Sequence, residues 1–325
     1  MLQKFALAAV ASLVLCASQV SPVLAQAAWP ERPVKLIVPF PAGGPNDIIA
    51  RVVGQKLGAI LGQPFVIDNR GGAGGVTGTD AVARAAPDGH TIAITSAGAL
   101  AIAHSIQKVP YHSTRDLAPV TLVASVAELL VVPAALNVRT VGELIALAKS
   151  RPAGLNFAST GRGSLPHLAA ELYKVVTASN MTHVPYSGAA PAVQDLLGGR
   201  TDLLFADIPV LLEHVKGGKL VALGVGSKQR SPILPDVPTF SEQGLPRVEA
   251  ENWYGMVATA KTPDAILARL HAATVEALRD AEVRGKLNPL GLTLIGNPAI
   301  EFSAYIEAET AKWADVVAKA GLKIE

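Results

Sequence analysis

Along most of this chain, short apolar runs rich in β-branched residues alternate with longer stretches whose apolar positions recur every three or four residues. Val34–Val38 is apolar except for Lys35 and reads as a buried strand. After the turn at 39–46, residues 47–61 carry a helical period. Residues 65–67 read as the next strand, 77–85 as the next helix and 91–95 as the third strand. The alternation continues through strands at 120–123, 129–132, 156–158, 182–184, 203–205 and 220–225. Short strands joined by helical crossovers predict an α/β fold whose sheets are mostly parallel and covered on both faces. Towards the C-terminus the pattern turns helical, with Pro263 opening a helix to residue 279 and another at 299–319.

Between Leu117 and Pro133 the alternation breaks: two apolar runs, APVTLVAS and AELLVVPA, follow one another with no helix between. That pattern predicts a strand leaving one sheet and entering a second. A comparable return lies near residues 249–257, after the proline-rich segment SPILPDVPTF. Two crossings put residues 127–249 in one lobe, and residues 28–126 with 250–325 in the other. A single large doubly wound sheet is the alternative.

Composition changes the picture mainly at the N-terminus. Lys4 is the only charge in the first 27 residues, an apolar and small-residue run covers residues 5–17, and Ala25-Gln26-Ala27 closes the segment. The run is too short to span a bilayer, and the arrangement is that of a cleavable secretory signal over residues 1–27. Export to the periplasm is therefore expected. Cys16, the only cysteine, falls inside this segment, so the exported chain holds no thiol, disulfide or Cys-ligated metal. With 28 basic and 26 acidic residues and no basic run, nucleic acid is not an expected partner. Two functional classes remain for an exported α/β chain of this kind, a hydrolase and a solute-binding protein.

Three turns carry glycine and polar residues between a strand and a helix: PFPAGGPND at 39–47, TSAG at 95–98 and STGRGS at 159–164. Such turns expose unbonded N–H groups at the positive end of a helix, a ready site for a carboxylate. Ordinary helix capping explains any one of them; three together, with two lobes, point to a cleft that holds an acid. GGAGGVTGTD at 71–80 approaches a dinucleotide fingerprint, but the following strand ends in Thr95-Ser96 and supplies no acid for a ribose. A tight surface turn is the expectation there. For a hydrolase, Gly161-Arg162-Gly163-Ser164 is not a Gly-x-Ser-x-Gly elbow. His167, three residues after Ser164, makes a poor base without a third group, and the histidines lack zinc-ligand spacing. Asp207 is the best-placed acid, at the end of a strand, either in the cleft wall or capping the next helix.

Three stretches, WPERPVKLIVPFPAGGPNDIIARVVGQKL, VIDNRGGAGGVTGTDAVARAAPDGHTI and VPYSGAAPAVQDLLGGRTDLLFAD, resemble the Bug family of periplasmic solute-binding proteins of tripartite tricarboxylate transporters. The resemblance runs from Trp29 to the last helix. It implies a type II periplasmic binding fold, two lobes enclosing a small carboxylic acid, no enzymatic activity, no cofactor or metal, and delivery to a membrane permease by a monomer. Matching the family's binding loops gives Phe40, Ala42, Gly43, Gly44 and Asp47 in the first turn and Ser96 in the next. The later loops give Ser159, Thr160, Gly163, Ser164 and His167, then Tyr186 and Gly188, and finally Asp207. Arg162, at a variable position, either reads a second carboxylate or faces solvent. The sequence departs from the family at residues 97–104, AGALAIAH, where many relatives carry hydroxyl or amide groups. A less polar pocket is expected from this, one ill-suited to citrate and leaning towards an acid without an amine.

Overall fold

The computed structural model describes residues 29–321; the expected signal segment lies outside them. Its strands are β1 (Val34–Val38), β2 (Phe65–Asn69), β3 (Thr91–Ser96), β4 (Leu117–Pro133), β5 (Leu155–Ser159), β6 (Met181–Pro185), β7 (Leu203–Asp207), β8 (Leu220–Val225), β9 (Glu251–Thr259) and β10 (Thr293–Leu294). The α-helices are α1 (Pro45–Leu61), α2 (Val76–Ala83), α3 (Val141–Ser150), α4 (Leu165–Thr177), α5 (Ala189–Leu197), α6 (Ile208–Lys216), α7 (Asp264–Arg279), α8 (Ala281–Leu287) and α9 (Ala299–Ala320).

The strands form a mixed sheet in the order β2-β1-β3-β9-β4-β7-β5-β6, with β8 and β10 attached to β4. Its outer parts are parallel: β1 with β2 and β3, and β5 with β6 and β7. Between these two groups run β4 and β9, antiparallel to their neighbours. The two apolar runs at 117–133 are one unbroken strand of 17 residues. Its first part, Leu117 to Ala127, pairs with β9; from Glu128 onward it pairs with β7, and from Leu129 with β8. A single strand thus serves both sides of the two-lobed fold, and no helix was needed to move the chain across.

Alternation along the strands sorts side chains onto the sheet's two faces. Val34, Leu36 and Val38 join one buried cluster, with Leu129 and Val131; Ile37, Leu130 and Val132 join the other. Helices cover both faces, so the strands read as continuous apolar runs. Trp253, Phe302, Trp313, Tyr173 and Phe157 are the bulky members of the second cluster. Ala97 and residues 100–103 belong to it as well, and the whole stretch 97–103 is buried. They form a π-turn, Gly98–Ile102, and the start of a 3-10 turn. The lack of polar groups in AGALAIAH therefore answers a packing demand and reports nothing about the pocket, contrary to the expectation drawn from it.

Proline sets where several helices begin. Pro45 holds α1 at its first residue, two residues before the expected start, and Gly44 stands at the N-cap. Proline also lies in the first turn of α4 and α6. Its fixed φ suits the helix, and the N–H it lacks would have had no carbonyl partner.

Candidate functional site

A narrow cleft of about 40 Å³ opens where strands end and helices begin. Four helices present their first turns to it: α1 through Gly44, Pro45 and Asn46, α4 through Ser164, Leu165 and Pro166, α5 through Gly188–Pro191, and α6 through Asp207 and Val210. Phe40, Pro41, Ala42, Ser96, Thr160, Ala206 and Asn252 complete the lining. Asp207 is the only charged residue among them. Four converging helix N-termini turn the positive ends of their main-chain dipoles towards the cleft.

The turn after β1 is held from behind. Asp47 accepts the Gly43 N–H at 2.9 Å and the Arg51 guanidinium at 2.8 Å on Oδ2, and the Asn69 amide at 3.0 Å on Oδ1. Burial opposes its charge, but these three donors outweigh it and lower its pKa. Asp47 and Gly43 thus shape the turn instead of lining the cleft. Gly43 is needed for its left-handed φ of 83°. Gly44 is not: its backbone is extended (φ −82°, ψ 170°), and an added Cβ would meet only the Pro41 carbonyl, at 3.7 Å.

The turn after β5 has its own scaffold. Ser159 is fully buried, its hydroxyl 2.6 Å from His183 Nε2 and bonded to the Gly161 main chain. Ser164 donates its hydroxyl to the Gly161 carbonyl at 2.7 Å, and the Gly163 N–H donates to His167 Nδ1 at 3.3 Å. Below the turn, His167 and His183 stack at 4.0 Å, and Phe157 lies on His183 at 4.9 Å. Burial first, then repulsion from neighbouring cations, lowers His167 to about 3 and His183 to about 4, so both rings are neutral. Ser164 and His167 do not form a nucleophile–base pair, because each is committed to a main-chain partner. Ser159 does meet a histidine, but beneath the turn and out of reach of the cleft.

Of the fifteen sequence candidates, Phe40, Ala42, Gly44, Ser96, Thr160, Ser164, Gly188 and Asp207 line the cleft. Gly43, Asp47, Ser159, Gly163 and His167 stand behind the turns. Arg162 and Tyr186 line a neighbouring hollow of about 430 Å³, which shares Phe40, Pro41 and Thr160 with the cleft. Tyr186 gives its hydroxyl to Asp195 at 2.8 Å. The glycine run at 71–75 is more than a surface turn. Gly74 and Gly75 are buried, and a Cβ on Gly74 would stand 2.4 Å from the Arg162 carbonyl. Gly98 is close as well, with the Gly163 carbonyl 3.1 Å from an added Cβ. Main chain from the two halves of the molecule meets there with no side chain between.

Asp207 stands at the N-cap of α6, but its side chain makes no capping hydrogen bond. Its carboxylate accepts the Asn252 amide at 3.0 and 3.2 Å and the Tyr254 hydroxyl, both from β9. Directly opposite it in the β4–β7 ladder stands Glu128, with no exposed surface. Burial pushes Asp207 up to about 6, against the lowering effect of Tyr254, Asn252 and Glu128. Burial and the neighbouring Asp207 hold Glu128 well above the usual carboxylate range. Sequence reasoning missed Glu128, Asn252 and Tyr254. One signal was present: Glu128 is the sole charge in a 17-residue apolar strand.

Comparison with known proteins gives the family. The profile of the tripartite tricarboxylate transporter family receptor (TctC) matches residues 49–322. The chain belongs to this family. Among its relatives, Protein BugT of Bordetella pertussis is 38% identical over 321 residues, 98% of each chain. Two solved structures share the receptor's fold closely. MatC of Rhodopseudomonas palustris, solved with bound malate, is 33% identical with a TM-score of 0.86, over 89% of this chain and 100% of that one. Rpa4515 of R. palustris, solved with adipate, is 34% identical with a TM-score of 0.88, over 91% and 100%. The receptor therefore has the two-lobed type II periplasmic binding fold. No helix among the described residues is long and apolar enough to cross a membrane.

Proposed function

We propose that this receptor is exported through a cleaved signal at residues 1–27, works in the periplasm as a monomer, and captures a small amine-free carboxylic acid for a transporter permease without performing chemistry. The observation that carries the proposal is the cleft itself: four helix N-termini converge on it and no cationic side chain lines it. Such a site favours an anion small enough to be held by main-chain N–H groups, hydroxyls and water. Malate and adipate in the two related structures are acids of this class.

In this reading Gly44, Ser96, Thr160, Ser164 and Gly188 contact the carboxylate end, and Phe40 and Ala42 form the walls. Lobes divided at residues 126 and 250 close over the ligand, since a cavity of about 40 Å³ holds only a few waters. The preference for an acid without an amine now rests on Asp207. A buried carboxylate needs donors, and Asn252 and Tyr254 supply them from within the chain, so no ligand ammonium is called for. A thermal-shift screen against small acids, with products followed by chromatography, tests the proposal. Dicarboxylates should raise the melting temperature while remaining chemically unchanged; turnover of a bound acid, or stabilisation by amino acids alone, would refute it.

A further inference from the structure

Glu128 occupies a special place in the chain. Ala127 is the last residue of β4 to pair with β9 and Glu128 the first to pair with β7. Its main chain bridges the same boundary, its N–H going to Ala250 and its carbonyl accepting from Gly226. Asp207 faces it from β7, and Asn252 and Tyr254 hold Asp207 from β9. Four polar groups thus meet at the strand that passes between the lobes, next to the cleft.

The surroundings leave this cluster without a counter-charge. Glu128 is acted on by burial and by Asp207; Asp207 by burial, Tyr254, Asn252 and Glu128. No lysine, arginine or histidine is among these groups. From β8 and its extension the chain brings Val225 and Gly226, and α6 opens with Ile208-Pro209-Val210, none of them titratable. Glu251 of β9 is engaged by the Ser125 hydroxyl. Neither Glu128 oxygen accepts a hydrogen bond from an N–H or a hydroxyl. Two buried carboxyls placed face to face cannot both be ionised, so the pair retains a proton. Held on Glu128, the deeper of the two, that proton would direct an O–H at Asp207 across the ladder.

We propose that Glu128 and Asp207 are an acid pair that holds one proton before ligand enters and two once a dicarboxylate is enclosed, so that the receptor takes up a dianion together with one proton from solvent. The proposal rests on the carboxylate reading of the cleft. One carboxylate of the ligand lies at the helix N-termini; a second, reaching Asp207, would set two negative charges side by side out of water. Protonating Asp207 replaces that repulsion with an O–H···O hydrogen bond. A monocarboxylate of the same length brings no second charge and takes up no proton.

Titration calorimetry with adipate and with hexanoate, each in buffers of different ionisation enthalpy at pH 7, counts the protons. Adipate should bind with an uptake approaching one proton, and hexanoate with none. Wild-type affinity for adipate should fall by up to about tenfold per pH unit above about pH 6, where free Asp207 ionises. Asp207→Asn should lose both the uptake and the pH dependence. Adipate binding with the same heat in every buffer overturns the proposal and leaves the carboxylate reading standing. Failure of every acid to bind removes that reading, and an infrared measurement on the ligand-free receptor then judges the pair alone. A protonated-carboxyl band at neutral pH, lost in Glu128→Gln, upholds it; its absence from wild type overturns it.

Discussion

The two ends of the cleft are built on opposite plans. At the turn end, main chain and helix N-termini face the cleft, and charged or aromatic side chains (Asp47, His167, His183) work from behind to hold the turns. At the acid end, side chains do the work: Asp207 and Asn252 line the wall, and Glu128 and Tyr254 stand buried behind them. The first plan puts positive potential at the ligand without a cationic side chain. The second places titratable protons beside it. On the proposed reading, the turn end holds one carboxylate by shape and dipole and the acid end senses the charge of the other.

The sharpest way to break the contrast is Gly44→Val. Its Cβ fits the turn, with 3.7 Å to the Pro41 carbonyl, so the protein should fold while its branches fill the cleft at the α1 N-terminus. Dicarboxylate affinity should drop more than a hundredfold, about 3 kcal/mol or more; unchanged affinity in calorimetry would remove this turn from the site. Next come opposite pH responses. The folded pKa values of His167 and His183, about 3 and about 4, lie below the ordinary 6.5. Their contribution is present above pH 6.5 and is lost as pH falls, by about 2 kcal/mol for each ring at pH 5. Glu128 and Asp207 are shifted upward, so the folded state binds more protons there and stability is lost as pH rises through about 6. Denaturant melts from pH 5 to 8 should show His183→Asn flattening the acid limb and Glu128→Gln the alkaline one.

A smaller effect is expected from Tyr254→Phe, which strips one hydroxyl donor from the buried Asp207 carboxylate. It should cost about 1–3 kcal/mol of stability and raise the Asp207 pKa further. A melting temperature equal to wild type would mean that the hydroxyl is replaceable by water. The smallest effect belongs to Arg162→Ala. Arg162 lines the neighbouring hollow and not the cleft, so affinity for a small diacid should change by less than about 0.5 kcal/mol. A tenfold loss would make that hollow part of the site.

The turn end was legible in the sequence because its determinants are local. Proline, glycine and serine between an apolar run and a helical period announce a strand-to-helix turn, whatever the chain does elsewhere. Even there the division of labour was hidden: Gly43, Asp47, Ser159 and His167 sit in or beside the right turns but do not line the cleft, which only three-dimensional hydrogen bonding reveals. The acid end depends on contacts between residues 128, 207 and 252–254, brought together by strand register. No spacing along the chain encodes that register. Glu128 within AELLVV was a visible anomaly, whereas Asn252 and Tyr254 look like any alternating strand positions. The error over AGALAIAH has the reverse cause. An apolar loop next to a predicted site was read as pocket wall, when burial against α9 explains it.

Gly74 carries one last consequence. On the closure proposed above, the molecule would shut like a door against a bare frame where Gly74 meets the Arg162 carbonyl, and a single methyl group would act as a doorstop. Gly74→Ala adds its Cβ 2.4 Å from that oxygen, at a φ of 65° that alanine tolerates poorly. Such a variant should stay ajar, keeping the cleft solvated and readable by a fluorophore on either rim. Paired with the parent protein, it would turn the act of shutting into an optical signal for whichever acid the receptor carries.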